Sequence, residues 1–104
     1  MQKSIPQQVF ETLADALGKL ERREDQTAEE RAEVKGKAYG QFQTIIGQRS
    51  TKDRSGEQGP GGTGTLTLFV GDAYNLLNAA AISGADWKHF EQLDALKARV
   101  PSVV

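Results

Sequence analysis

His89 is the only histidine in this chain of 104 residues, and Asp86 lies three positions before it. On a helix the two share nearly one face, as two metal ligands or a base and its orienting carboxylate would. Two ligands do not complete a zinc site, and no neighbouring residue supplies the rest. The plainer expectation for His89 is a solvated or partner-facing side chain. There is no cysteine, which excludes disulfides, thiolate metal sites and cysteine nucleophiles. None of the serines lies in a G-x-S-x-G elbow. Most acidic residues fall between Glu11 and Glu33, interleaved with Lys and Arg, which is the pattern of a solvated helix face. Trp87-Lys88-His89-Phe90 mixes aromatic and basic groups, as single-strand nucleic-acid surfaces do. Trp87 and Phe90 also fit an apolar helical stripe, so a core role is preferred for both.

The segment from Gly47 to Gly64 is the remaining place for chemistry. It carries six of the eleven glycines, together with Arg49, Lys52 and Arg54, and no large apolar side chain. Gly56 and Gly61 have the spacing of a P-loop, but Gly62 stands where lysine is required, which excludes that NTPase motif. A looser anion site survives. If a helix begins at Thr65 or Leu66, then Gly61, Gly62, Thr63 and Gly64 lead into its N-terminus. Free N–H groups and the helix dipole attract anions there. Arg49, Lys52 and Arg54 would add charge for a nucleotide, a nucleic-acid phosphate or an acidic peptide. Composition by itself favours a flexible linker instead.

The flanking sequence reads as helix. Ser4 is an N-cap with Pro6 in the first turn and Gln7 at the capping-box position. Phe10, Leu13, Leu17 and Leu20 form a stripe widened by Val9, Ala14 and Ala16, and this helix ends in the charged run from Glu21 to Asp25. Thr27 and Glu30 make a second capping box. The helix they open runs to about Gly47, with Tyr39, Phe42 and Ile46 on one stripe and Ala38 and Ile45 beside them. Glu33 and Lys37 form an i,i+4 pair on its wet side. Ala32, Gly36 and Gly40 form a ridge of small residues, which implies either close backbone approach or a locally weak, bent helix.

Leu66, Phe69, Val70, Ala73, Leu76, Leu77 and Ala80 fit one face of a third helix, with Thr67, Gly71, Asn75 and Asn78 opposite. A strand over 65–70 competes locally because Thr and Leu alternate there, but the chain offers it no partner strand. Ser83 to Asp86 resembles a capping box for a fourth helix. Trp87, Phe90, Leu93, Leu96 and Val100 are its stripe, and Pro101 stops it. The expectation is a single all-α domain, residues 1–104: a small bundle of about four helices, two hairpins joined by the Gly-rich loop at 47–64.

Thirteen Lys+Arg against fourteen Asp+Glu argue against binding nucleic acid or anionic lipid by bulk charge. MQKSIPQQVF lacks the apolar core of a signal peptide, and the apolar stretch from Leu66 to Ile82 is interrupted by Asp72, Asn75 and Asn78. A soluble cytoplasmic protein with no cofactor and no membrane contact is expected. Without a catalytic constellation, the leading reading is a non-enzymatic helical adaptor or inhibitor that binds a protein partner and forms a homo-oligomer. The alternative is a binder of a phosphate-bearing ligand, a nucleotide or nucleic acid. It would use Arg49, Lys52, Arg54, Gly61, Gly62, Thr63, Gly64 and Thr65.

Overall fold

The computed structural model describes residues 4–21, 25–47 and 63–100, the last with backbone alone at 63–66. Four helices account for nearly all of them: α1 (Ile5–Leu20), α2 (Ala28–Gly47), α3 (Thr63–Ser83) and α4 (Trp87–Lys97). No strand occurs among the described residues. The 65–70 stretch is helical, and α3 begins at Thr63, ahead of the expected start at Thr65 or Leu66.

The helix starts follow from their caps. Ser4 Oγ accepts from the Gln7 N–H at 3.2 Å. Thr27 and Glu30 exchange both capping-box bonds, at 3.0 and 3.1 Å. The start of α4 differs from expectation. Ser83 is the last residue of α3, Gly84 turns the chain at φ 78°, and the N-cap is Asp86. A left-handed backbone is accessible to glycine at little cost, so the sequence Ser-Gly-Ala-Asp ends one helix before it starts the next.

α1 is the organising element, packing against each of the other three. Val9, Leu13, Leu17 and Leu20 are wholly buried along it. The α2 contribution centres on Ala38, Phe42 and Ile45, with Tyr39 and Ile46 at the margin, so its buried face is turned slightly from the expected stripe. α3 buries Phe69, Val70, Ala73, Leu76, Leu77, Ala80 and Ala81. α4 closes the bundle with Leu93 and Leu96, packing on α1 and α3.

Polar contacts fix the register between α2 and α3. Tyr39 and Tyr74 meet edge to face at 4.7 Å, and Phe42 meets Tyr74 at 5.1 Å. Lys35 Nζ donates to Asn78 Oδ1 at 3.1 Å, which draws Asn78 out of the fully wet face assigned to it by periodicity. Arg31 ties three segments together: Nε donates to the Ala81 carbonyl at 3.1 Å and Nη1 to the Gln26 carbonyl at 3.1 Å. Ala81 lies in the last turn of α3, where carbonyls lack helical partners and a cation complements the dipole. The Ala85 N–H then donates to the Leu20 carbonyl at 3.2 Å, joining the α3–α4 turn to the end of α1.

The Ala32-Gly36-Gly40 ridge is on the surface. All three are exposed, and a Cβ built at Gly36 or Gly40 meets nothing within 4 Å. No backbone comes close to them within the described fold. The glycines therefore weaken α2 without a packing gain inside the described chain.

Candidate functional site

The Asp86–His89 pair is a helix cap. Asp86 Oδ1 accepts from the N–H groups of Lys88 and His89 at 3.0 and 3.3 Å. His89 Nδ1 accepts from the Asp86 N–H at 3.2 Å, completing a capping box in which histidine replaces the usual Glu or Gln. The His89 side chain is only 12% exposed and is engaged in its own helix cap, in place of the solvated or partner-facing position expected for it. Its Nδ1 lone pair serves the backbone as long as this cap holds. Among the described residues, no group of three or more His, Cys, Asp or Glu could hold a metal ion.

Of the residues assigned to an anion site, Arg49, Lys52, Arg54, Gly61 and Gly62 lie outside the described residues. Thr63, Gly64 and Thr65 form the first turn of α3. The helix N-terminus on which that reading rests is present, immediately after Gly61-Gly62.

A different surface carries more information. Among the described residues three large apolar side chains are strongly exposed: Leu68 at 66%, Ile82 at 69% and Trp87 at 65%. Trp87 was expected in the core. It occupies the first position of α4 instead, because Asp86 caps the helix, and its stripe of 87, 91, 94 and 98 faces outward throughout. Lys88 Nζ lies 5.8 Å from the indole ring centre. Phe90, three residues on, does pack against the core.

Leu68 and Ile82 belong to one seam. Leu68, Asp72, Asn75, Ala79 and Ile82 are spaced 4-3-4-3 along α3, and all five are exposed. Such spacing keeps side chains in register with a partner helix. Beside this seam runs a groove of about 400 Å³, walled by Asp72, Asn75 and Ala79 of α3 and by Gln92 and Ala95 of α4, with Leu76 and Leu96 at its floor. Arg99 closes one end by pairing with Asp72 Oδ2, and its guanidinium lies 5.5 Å from the Phe69 ring centre. That ion pair neutralises the single charge on the seam. The result is an apolar-ended, charge-balanced helix face with a shallow groove beside it.

Periodicity placed Asn75 on the outer side of α3 and gave no hint of the Asp72–Arg99 closure, which pairs residues far apart in sequence. No helix among the described residues is long and apolar enough to cross a membrane. Comparison with protein-family models, with curated proteins and with solved structures finds no match.

Proposed function

We propose that this chain is a non-enzymatic helical interaction protein of the cytoplasm, an adaptor or inhibitor, that binds a protein partner and associates with itself through the outer face of α3 and α4. The observation that carries the reading is the exposure of Leu68, Ile82 and Trp87, at 65–69% each, on α3 and α4, the two helices that also flank a groove. Interface anchors are enriched in tryptophan, and exposed large aliphatic groups at heptad-like spacing on one helix suit a partner helix. The absence of charge left unpaired on the seam supports a surface that can be desolvated at modest cost.

The test is retention of protein from a native extract by the immobilised chain, run beside two variants, Leu68→Lys/Ile82→Lys and Trp87→Ala. Circular dichroism first establishes that both variants remain helical. Species retained by the unaltered chain and lost from the variants are expected. Identical retention by all three would remove this face from consideration.

A second reading, a phosphate-bearing ligand held by Arg49, Lys52, Arg54 and the first turn of α3, is favoured by one observation: α3 begins directly after Gly61-Gly62. The two readings separate by salt. Phosphate binding through three cations weakens steeply with ionic strength, whereas docking through aliphatic and aromatic side chains changes little.

A further inference from the structure

We propose that the occupant of the α3 seam is the α3 of a second copy, paired antiparallel about a two-fold axis at Asn75. This deepens the reading above and rests on it. A two-fold interface places one surface against itself, so the surface must be self-complementary under reversal. The seam meets that condition. Counted from Asn75, Leu68 lies seven residues before and Ile82 seven after, and both are exposed large aliphatic groups. Reversal therefore sets Leu68 of each copy against Ile82 of the other and Asn75 against Asn75.

The chemistry at each level agrees. A side-chain amide carries both donors and an acceptor, so two facing asparagines can satisfy each other, and a single asparagine at a helix seam fixes register. Asp72 comes level with Asn78 of the other copy, a neutral amide, with its own Arg99 alongside, and Gly71 comes level with Ala79. Gly71 and Ala79 leave space for helices to approach. A parallel pairing would instead bring the two Asp72 carboxylates to one level and align the helix dipoles unfavourably. The seam spans 14 residue steps, roughly 21 Å at 1.5 Å per residue. The groove between α3 and α4 widens the contact, so that α3 and α4 of both copies form a four-helix layer.

The chain has no cysteine, so single cysteines placed on it report geometry without background. Asn75→Cys, Leu68→Cys, Ile82→Cys and, as a distant exposed control, Glu33→Cys are each oxidised mildly and run on a non-reducing gel. Asn75→Cys is expected to form covalent dimer by itself. Leu68→Cys and Ile82→Cys are expected to cross-link when mixed, giving about tenfold more dimer than either variant by itself or the Glu33→Cys control, because facing thiols share a high effective concentration. Self-linking of Leu68→Cys without linking to Ile82→Cys would mean a parallel pair and overturn the proposal. A chain that sediments as a monomer, with no cross-link above the control, would also overturn it; the reading of this face as a docking site for another protein would then stand on the retention experiment. A dimer that forms but cross-links at none of the seam positions would overturn the proposal and, with it, self-association through this face.

Discussion

Tyr39 lies between α2 and α3 with its hydroxyl directed at the Tyr74 carbonyl, 3.5 Å away. Burial pushes its pKa above the ordinary 10.0, and the neighbouring Tyr74 adds to the shift. A phenol whose folded-state pKa is raised contributes stability that is fully present below its unfolded value and is lost as pH rises through the folded one. Urea unfolding between pH 8 and 11 should therefore show the unaltered chain losing stability above pH 10 more steeply than Tyr39→Phe. Parallel curves would contradict this placement of Tyr39. Trp87 offers the opposite test. Being largely exposed, it should contribute little to folding, and Trp87→Ala should change stability by no more than about 0.5 kcal/mol. Leu17, wholly buried in α1, should cost about 2–5 kcal/mol when replaced by alanine. A large loss at Trp87 would return it to the core, as its spacing with Phe90 first suggested. Spacing misplaced it because Phe90 is only at the margin of the core, and Trp87, about 60° farther round the helix from Leu93 and Leu96, falls on the outward stripe of 87, 91, 94 and 98.

At the scale of the element, the helix signals were largely legible. Ser4, Thr27 and Glu30 act as their side chains imply, and α2 has the expected bounds because Thr27 caps one end and glycine stands at the other. The fourth start was misread by three residues, since Ser83 and Asp86 are both good caps and only the left-handed Gly84 decides between them. Asp86→Ala should cost about 1 kcal/mol, read as a lower urea midpoint, while His89→Gln should largely retain stability because an amide can replace the imidazole acceptor. A His89→Gln loss equal to that of Asp86→Ala would show that the ring has a further role. The glycine ridge on α2 gives a prediction of opposite sign. Nothing lies within 4 Å of a Cβ at Gly36 or Gly40, so alanine at each should stabilise by up to about 1 kcal/mol. That corresponds to a rise in melting temperature of about 4–8 °C per kcal/mol for a chain of this size. A fall on either substitution would mean that another molecule approaches this ridge closely.

At the scale of the molecule, the all-α architecture was visible in four stripes of helical period, and the core residues of α1 and α3 were named almost completely by them. What periodicity could not show was which element is central. α1 packs against all three others through contacts between residues distant in sequence, and Ala85 with Leu20, Arg31 with Ala81 and Asp72 with Arg99 join the elements in the same way. The candidate surface was hidden for the same reason. The stripe named the covered side of α3, but Leu68 and Ile82 belonged neither to it nor to the set opposite, Thr67, Gly71, Asn75 and Asn78, so their exposure had no signal in the sequence. Leu68 and Ile82 became visible as a pair only once α1, α2 and α4 had taken their places. The central claim, that this open side of α3 is a contact surface, is tested most directly by sedimentation equilibrium across micromolar concentrations, comparing the unaltered chain with Leu68→Lys/Ile82→Lys. A mass approaching twice the 11.3 kDa of one chain, falling to a single chain in the variant, is the expected result. A mass of 11.3 kDa for both at every concentration would contradict self-association through α3.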